Sequence, residues 1–569
     1  MSYHRKAMSP AYILAAALGL IMIGTPRARA EIINVPADYP TIQQAIDAAD
    51  PGDEVIVAEG EYIENIDFLG KAITVRSTDP ENPDVVEATI INGDAAGSVV
   101  TCDSGETLDT VLTGFTITNG DAFWGGGMYN ENSSPTVAHC IFRENVGYDM
   151  GGGMRNKNAS PSISDCAFIM NSSGSGGGMN NFDGSNPTVI DCKFSDNVAR
   201  VAGGGMINGM DCSPLVVGCT FSGNAAVNDN GDGGAIYNSS DSYPMIAECS
   251  FVGNTAMSFG GAVFNIWSGP MMLDSTFVGN YAPRGGALLE GETTSTTLNC
   301  TFIGNWADYD GGAIDIRDCG EFTIANCTLT DNWAPSGAGV YNWNSSSIVA
   351  NCTFSANAAL HGIIYNSHSD SVISNCIVWG NDGSAIYNSD SAPIVTYSNV
   401  EGGYAGEGNI DANPLFVDPD NGDFRLAPGS PCIDAADNTA VPPDELDMDG
   451  DGDTDEPIPF DLDGNLRFVD DPDTEDTGHG EAPIVDMGAY EFQYDWCPAD
   501  FDDDGDVDTA DLLMLLGAWG ECPHLPCPWD FNGDGVVDDL DRDILMEHWG
   551  DCPDPPEECP WDLNGDGVV

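Results

Sequence analysis

Apolar and polar positions alternate in short stretches that recur every 24 to 30 residues through the middle of the chain. The first clear copy is Cys140, Phe142 and Asn145. Positions two apart face the same side of a strand, so the Cys and the Phe are predicted to point inwards. A single copy cannot bury its Phe, but stacked copies build a continuous core. The later copies are Cys166/Phe168/Asn171, Cys192/Phe194/Asn197, Cys219/Phe221/Asn224, Cys249/Phe251/Asn254, Ser275/Phe277/Asn280, Cys300/Phe302/Asn305, Cys327/Leu329/Asn332, Cys352/Phe354/Asn357 and Cys376/Val378/Asn381.

Glycine clusters follow the Asn in most copies and predict a tight bend, because glycine accepts positive φ. The repeat length corresponds to one coil of three short strands, and successive coils should rise by about 4.8 Å, the spacing of paired strands. The Asn column is predicted to lie inside, with side-chain amides bonded from coil to coil. An apolar residue after each glycine cluster is predicted to face the core, and this column is Met128, Met154, Met179, Met206, Ile236, Val263, Leu288, Ile314, Val340, Ile364 and Ile386.

The N-terminal end carries two further patterns. Thr41 and Gln44 form a capping-box pattern at the start of an apolar stripe, which predicts a short helix that covers the first coil. Residues 1–30 have a basic start, an apolar run at 11–24 that is too short to span a bilayer, and Ala-Arg-Ala at 28–30. This is typical of a cleaved signal peptide. We therefore expect an exported protein, extracellular or at the cell surface, with no transmembrane span.

The repeats resemble those of a known superfamily. Residues 36–400 resemble the right-handed parallel β-helix proteins that include pectate lyases, and the Gly-Gly-Ala-Ile tetrads at 233–236 and 311–314 resemble repeats of polymorphic outer-membrane adhesins. Residues 411–492, which end in Asp-Met-Gly-Ala-Tyr at 486–490, resemble the closing segment of bacterial surface β-helices. The resemblance implies an all-β fold. Residues 31–410 would form a right-handed parallel β-helix, a solenoid with an N-terminal capping helix, and residues 411–492 would close it and carry an acidic loop.

Two acidic stretches near the C-terminus have the spacing of calcium-binding loops. Each places oxygen ligands at loop positions 1, 3, 5, 9 and 12 and a glycine at position 6, where the chain must turn sharply around the cation. Position 7 supplies a backbone carbonyl. The sequence therefore predicts Ca²⁺ as a cofactor. The candidate ligands are Asp500, Asp502, Asp504, Asp506, Asp508 and Asp511 in the first loop and Asp530, Asn532, Asp534, Val536, Asp538 and Asp541 in the second.

The two loops, each followed by a short apolar helix, resemble the dockerin modules of secreted bacterial proteins. The resemblance implies a small α-helical, EF-hand-like module over residues 493–569 and a cohesin-like or other surface anchoring receptor as its partner. Positions 10 and 11, often Ser-Thr in cellulosomal dockerins, are Thr509-Ala510 and Asp539-Leu540 here. A third copy opens at Asp562, and the sequence is compatible with either a truncated or a vestigial loop there.

The cysteines fall into two groups. Those of the repeat are predicted to be reduced thiols packed as small apolar groups, because side chains in register point in parallel and do not converge as a disulfide requires. In the C-terminal region, Cys497 and Cys522 bracket the first calcium loop, and Cys527 and Cys552 bracket the second. We predict these two pairs as disulfides.

Charge excludes some partners. The chain has 91 acidic and 16 basic residues, for a formal net charge of −75. Such a field repels nucleic acid and anionic membranes and favours divalent cations.

The basic residues in the coils are few, and the best catalytic candidates are Asp310, Asp315 and Arg317. Asp315 and Arg317 alternate with isoleucines and so share the outer face. A surface ion pair worth under about 1 kcal/mol is the alternative interpretation.

An aromatic column is the candidate glycan-binding site. The position after the inward apolar column should face outwards, and it holds Tyr341, Tyr365 and Tyr387 in successive coils, with Trp343 on the same side. Exposed rings can stack on sugar rings. The alternative is that the rings stack on one another and stabilise the solenoid.

Three functions are compatible with the sequence. The first is a non-catalytic surface or adhesion protein that binds an extracellular polysaccharide and is anchored through its calcium module. The second is a polysaccharide lyase or glycoside hydrolase of the pectate-lyase-like fold. The third is a structural spacer. The regular coils lack long inserted loops that would wall a cleft, which favours the first.

Overall fold

The computed structural model describes residues 30–494, 506–507, 509–521, 536–547 and 550–551. They belong to two compact units. The first comprises the described residues up to Met448 together with Asp455–Phe492, and the second comprises Asp449–Thr454 and those from Gln493 onwards.

The first unit is a parallel β-solenoid with four long sheets rather than the three predicted. Most coils place one strand in each of a 15-stranded, a 14-stranded and a 13-stranded sheet, and ten coils add a strand to a fourth sheet. The expectation of three strands per coil is therefore wrong between Asp121 and His361. There, the short segment between the Asn column and the glycines also pairs with its neighbours.

The 15-stranded sheet contains Ile32–Val35, Glu54–Val57, Thr74–Ser77, Val111–Thr113, Thr136–Ala138, Ser162–Ser164, Thr188–Ile190, Leu215–Val217, Met245–Ala247, Met271–Leu273, Ser295–Leu298, Glu321–Ala325, Ser346–Ala350, Val372–Ser374 and Ile394–Thr396. The 14-stranded sheet contains Gly60–Ile63, Thr89–Asn92, Thr116–Thr118, Ile141–Arg143, Ala167–Ile169, Lys193–Ser195, Thr220–Ser222, Ser250–Val252, Thr276–Val278, Thr301–Ile303, Thr328–Thr330, Thr353–Ser355, Ile377–Val378 and Asn399–Val400.

The 13-stranded sheet contains Ile66–Asp67, Val100–Cys102, Met128–Glu131, Met154–Lys157, Met179–Phe182, Met206–Gly209, Ile236–Ser239, Val263–Ile266, Leu288–Gly291, Ile314–Arg317, Val340–Trp343, Ile364–Ser367 and Ile386–Ser389. The ten-stranded sheet contains Asp121–Trp124, Val146–Met150, Ser172–Ser175, Val198–Ala202, Ala225–Ala226, Thr255–Ala256, Tyr281–Arg284, Trp306–Asp310, Trp333–Ser336 and Ala358–His361.

The predicted inward columns form the core. The repeat cysteines and phenylalanines are buried, and their strands pair in register, as with Phe142 beside Phe168. These two rings stack with centroids 4.9 Å apart, and the next pairs along the column lie 4.7–5.1 Å apart. The repeat cysteines are free thiols, and the Cys192 thiol donates to the Ile190 carbonyl at 3.2 Å. The buried position predicted for the Cys column is confirmed.

The Asn column forms a hydrogen-bonded ladder, as predicted. Asn145 Nδ2 donates to Asn171 Oδ1 at 3.1 Å, and the same bond continues coil by coil to Asn381. A second buried ladder runs from Asn130 through Asn156 and the next four coils. It ends on Glu290, whose Oε1 accepts from an Asn Nδ2 at 2.7 Å. The sequence analysis missed this second ladder.

The helix Ile42–Ala48 covers the first coil, as predicted, and buries Ile42, Ala45 and Ile46. Thr41 Oγ1 accepts from the Gln44 amide at 3.2 Å. The Glu64 carboxylate adds a cap that the sequence analysis did not identify, because it accepts from the amides of Ile42 and Gln43 at 2.9 Å. A second helix, Pro83–Ala88, lies on the early coils.

The closing segment packs against the last coils. It contains the antiparallel strands Phe416–Asp418 and Asp423–Leu426 and the 3-10 helices Pro419–Asn421 and Asn438–Ala440. The fully buried Arg467 joins it to the solenoid, donating to the carbonyls of Gly488 and Ala489 and to Asn326 Oδ1.

The second unit contains the helices Thr509–Gly517 and Asp539–Glu547. Two short antiparallel pairs join strand Asp506–Val507 to Gly550–Asp551 and strand Gly520–Glu521 to Val536–Val537. The cysteines of the two predicted disulfides lie outside the described residues, as does the signal peptide up to residue 29. Within the described parts of the chain, every helix is too short to cross a membrane.

Candidate functional site

Strand register brings two groups of predicted site residues together on the outer face of the 13-stranded sheet. Asp315 lies beside Tyr341, and Arg317 lies beside Trp343, because strands Ile314–Arg317 and Val340–Trp343 pair residue by residue. The tyrosine column continues in register through the next two coils. The catalytic candidates and the aromatic column thus form one surface, which the sequence treated as two separate features.

The three tyrosine rings stack on one another. Tyr341 and Tyr365 have centroids 5.1 Å apart at an interplanar angle of 22°, and Tyr365 and Tyr387 are 5.0 Å apart at 23°. The Arg317 guanidinium lies 5.1 Å from the Tyr341 centroid, at one end of the stack. Ring faces that pack against each other are not open to a sugar ring. The column therefore fits the self-stacking alternative, and its most exposed aromatics are Tyr387, at the end of the stack, and Trp343 beside it.

The acidic and basic candidates form a compact ion-pair cluster. Arg317 Nη2 lies 2.9 Å from Asp310 Oδ2, and Arg317 Nε lies 2.9 Å from Asp315 Oδ1. Arg284 Nε lies 3.3 Å from the same Asp310 oxygen. Asp315 is fully buried, so the interpretation as a surface ion pair does not fit this residue. It points outwards from its strand but lies beneath Arg317.

The protonation of this cluster follows from its burial. Desolvation raises the pKa of Asp315 to about 7, although Arg317 opposes the shift. Burial alone would lower the pKa of Arg317, but Asp315 and Asp310 raise it above the ordinary value. The guanidinium is therefore held in its charged form and is a poor general base.

A pocket of about 370 Å³ opens at the adjoining turn of the coils. Its walls include Tyr243, Trp267, Glu292 and Asp318, which come from successive coils. The two rings are 56% and 55% exposed. We call this group the side pocket. The sequence analysis missed it, since its members follow the last outward strand position, where the repeat has no fixed residue type.

Backbone geometry shapes the side pocket. Trp267, Glu292 and Asp318 all have positive φ, between 48° and 52°, which turns these side chains out at the same corner of each coil. A Cβ on Gly269 would lie 2.9 Å from the Tyr243 ring and 2.6 Å from the Thr294 carbonyl oxygen. Because Gly269 has no side chain, the Tyr243 ring can pack against the backbone at residue 269.

Part of the predicted calcium module is described. Asp511 and Asp541, at position 12 of the two loops, are buried, and Asp541 Oδ2 accepts from the Asp538 amide at 2.8 Å. Val536 lies in a strand paired with Gly520–Glu521. For Asp506 only the backbone is described, and the remaining predicted ligands, Asp500, Asp502, Asp504, Asp508, Asp530, Asn532 and Asp534, lie outside the described residues. Calcium binding by these loops stays a prediction.

Comparison with known proteins gives a family match for the coils. The family described as "Right handed beta helix region" matches residues 211–349 and 268–412. Together the two matches span residues 211–412, which is less than half of the chain. This match supports the predicted superfamily and agrees with the parallel solenoid, but it does not extend to the C-terminal unit. None of the curated proteins matches the chain significantly.

Several solved structures are similar to the β-helix. A mannuronic acid specific polysaccharide family 6 lyase from human gut microbiota has 12% identity and a TM-score of 0.40, covering 68% of this chain and 92% of its own. A pectate lyase has 14% identity and a TM-score of 0.27, covering 82% and 97%. A mannuronan C-5 epimerase module from Azotobacter vinelandii has 13% identity and a TM-score of 0.27, covering 62% and 94%. Similarity at this level transfers no chemistry.

Proposed function

We propose that this protein binds an extracellular polysaccharide without cleaving it and that the side pocket is the binding site. The observation that carries the proposal is the pair of exposed rings of Trp267 and Tyr243 beside carboxylates in a concave site. Unlike the three stacked tyrosines, these two rings have no ring–ring partner among the described residues. An aromatic face can pack on the C–H face of a sugar, and carboxylates accept hydrogen bonds from its hydroxyls.

Charge selects the class of polysaccharide. The side pocket contains Asp241, Glu292 and Asp318 and, among its lining residues, no basic side chain. A polyuronate brought to this pocket would meet like charge from the lining residues and from a chain of net charge −75. We therefore propose a neutral or amino-sugar polysaccharide as the ligand.

The ion-pair cluster favours binding over elimination chemistry. A lyase needs a base that can accept a proton from the sugar ring. Arg317 is held charged by Asp310 and Asp315, and Asp315 is covered by Arg317. A hydrolase would instead use two carboxylates that flank the bond to be cleaved. Glu292 and Asp318 occupy neighbouring coils of the side pocket, so hydrolysis is the second candidate function.

The second unit supports anchoring in this proposal. Buried carboxylates at Asp511 and Asp541 fit the donor set of a calcium loop, in which the position-12 side chain closes the coordination sphere. Calcium would order the loops that precede both helices. A cohesin-like or other surface receptor would then bind the ordered unit after export of the protein.

A binding assay with matched variants tests the proposal. Full-length protein is incubated with insoluble cellulose, xylan, chitosan, calcium alginate and calcium pectate gels, and the retained fraction is measured. We expect retention on at least one of the first three, and a loss of at least tenfold in affinity for Trp267→Ala/Tyr243→Ala. The control, Trp306→Ala/Tyr148→Ala, removes two other exposed aromatics and should bind like wild type.

Three outcomes would contradict the proposal. They are equal retention of both double variants, retention confined to the alginate and pectate gels, and absence of retention on all five materials. Product analysis distinguishes the second candidate. Release of reducing ends by wild type, abolished by Glu292→Gln or Asp318→Asn, would establish hydrolysis.

A further inference from the structure

A cluster of three carboxylates lies in the closing segment, apart from the side pocket and from the predicted calcium loops. Asp434, Asp470 and Asp476 each place one carboxylate oxygen within 4.8 Å of the other two. Asp434 is buried, and the other two are exposed. Among the described residues, no basic side chain forms an ion pair with any of the three.

The loop between the two exposed acids is held in place from both ends. The Asp434 carbonyl accepts from the amides of Thr477 and Gly478 at 2.9 and 3.1 Å. Within the loop, Asp471 uses its own carboxylate internally, accepting from the Asp473 amide at 3.1 Å and from Thr474 Oγ1 at 2.6 Å. The fold thus fixes where the three carboxylates meet.

Asp434 provides an independent observation that points to a ligand at this cluster. The residue is 1% exposed, yet its Oδ1 has no hydrogen-bond partner. Its Oδ2 accepts only a 3.3 Å bond from the Asp471 amide. A buried carboxylate oxygen without a donor is costly. Its backbone is also held at φ +50°, an uncommon conformation for a residue other than glycine.

We propose that Asp434, Asp470 and Asp476 bind one divalent cation, with Ca²⁺ as the preferred ion. Three carboxylates in a partly exposed site supply hard oxygen ligands and leave positions for water, which suits the flexible coordination of Ca²⁺. Mg²⁺ demands a more regular octahedron at shorter distances. The cation would satisfy the free oxygen of Asp434 and join the loop to the buried chain at Cys432 and Ile433.

Protonation is the alternative way to relieve the cluster. Burial raises the pKa of Asp434 to about 7, and the charges of Asp470, Asp476 and Asp471 add to the shift. A proton would neutralise one acid and leave the two exposed acids facing each other. A divalent cation would contact all three carboxylates and offset two of their three negative charges, so calcium should be favoured at and above neutral pH.

Hydrogen–deuterium exchange of the full-length protein at pH 7.5 isolates this site from the C-terminal loops. Peptides covering residues 468–480 are followed by mass spectrometry in 2 mM CaCl₂, 2 mM MgCl₂ or chelator, conditions chosen as about millimolar for a weak extracellular site. We expect calcium to slow exchange in wild type by at least tenfold, and magnesium to have a smaller effect. Asp470→Asn/Asp476→Asn should abolish the effect of calcium.

A matched variant controls for loss of charge in the same loop. Asp473→Asn/Glu475→Gln removes two exposed acids outside the cluster and should keep the response to calcium. Equal responses of the two double variants would overturn the proposal, and so would the absence of any calcium effect in wild type. Asp434→Asn supplies a second test. If Asp434 is simply protonated, Asp434→Asn should exchange at the same rate as wild type in chelator. Calcium should then change the exchange rate of neither protein.

Discussion

The first prediction concerns Asn224, in the middle of the first asparagine ladder. Its Nδ2 donates to the Phe194 carbonyl at 2.8 Å and to Asn254 Oδ1 at 3.0 Å. Its Oδ1 accepts from the amide and the Nδ2 of Asn197 at 3.1 and 3.0 Å. All of these groups are buried. Asn224→Ala would therefore remove four bonds at once.

The cost of Asn224→Ala can be worked from the groups left behind. Asn254 Oδ1 keeps the backbone amide of residue 224 as a donor, at 3.0 Å. The Phe194 carbonyl remains in its paired strand, but the Asn197 amide and one Nδ2 proton of Asn197 lose their partners. A buried polar group without a partner costs about 1–3 kcal/mol, so for these two groups we expect a loss of about 2–6 kcal/mol in the free energy of unfolding.

Guanidinium unfolding of the full-length protein, followed by far-ultraviolet circular dichroism, measures this loss. Asn230→Ala, at an exposed position, is the control and should change stability by under about 0.5 kcal/mol. Asn381→Ala, at the half-buried end of the ladder, should fall between the two. A midpoint for Asn224→Ala that matches the exposed control would refute the argument that the ladder stabilises the solenoid.

Three further predictions follow from buried or stacked groups. Burial raises the pKa of Glu290 to about 7 from an ordinary 4.5, so its contribution to the free energy of unfolding should fall as pH rises from 4.5 to 7, by up to about 1.4 kcal/mol per pH unit, and stay constant above pH 7. Glu290→Gln should remove this slope when the free energy of unfolding is measured from pH 4 to 8. The same pH dependence in the variant and in wild type would contradict the prediction. Arg317→Gln leaves buried Asp315 without its ion pair and should cost about 3–5 kcal/mol at pH 8 but less at pH 5, where the Asp315 carboxyl can be protonated. Replacing Tyr341, Tyr365 and Tyr387 by serine should lower the melting temperature and leave retention on polysaccharide unchanged. If stability is unchanged and retention is lost, the tyrosine column is the binding site instead.

The sequence predicted the columns because their residue types are strict. Alternation of two residues placed the Cys and Phe positions inside, and the recurrence of Asn145 and its counterparts indicated the ladder. The second ladder had an equally readable signal, since Asn130 follows the inward Met128 by two residues and the spacing recurs in later coils. A polar residue at an inward position is recognisable only when its partner in the next coil is considered.

Other features depend on geometry that the repeat does not encode. The fourth sheet uses small or variable residues, such as Ser172–Ser175 and Ala225–Ala226, whose pairing is imposed by the coils on either side. The side pocket arises where Trp267, Glu292 and Asp318 turn out with positive φ, and these residue types are unrelated. The Asp434 cluster joins Asp434 to two acids that lie 36 and 42 residues later, in a segment without a repeat.

The ladders also make individual coils interchangeable. Each interior Asn donates forwards to the next Asn and backwards to the carbonyl of the inward Phe of a preceding coil, or of Leu329 in one case, so every coil offers its neighbours the same set of donors and acceptors. Unequal recombination within the gene could therefore delete a whole copy, for example residues 166–191, and join Asp165 to Cys192 with the bonding pattern preserved. The solenoid would shorten by about 4.8 Å, while the capping helix and the closing segment kept their own contacts. Such a protein can change length in whole-coil steps during evolution without redesign of either end.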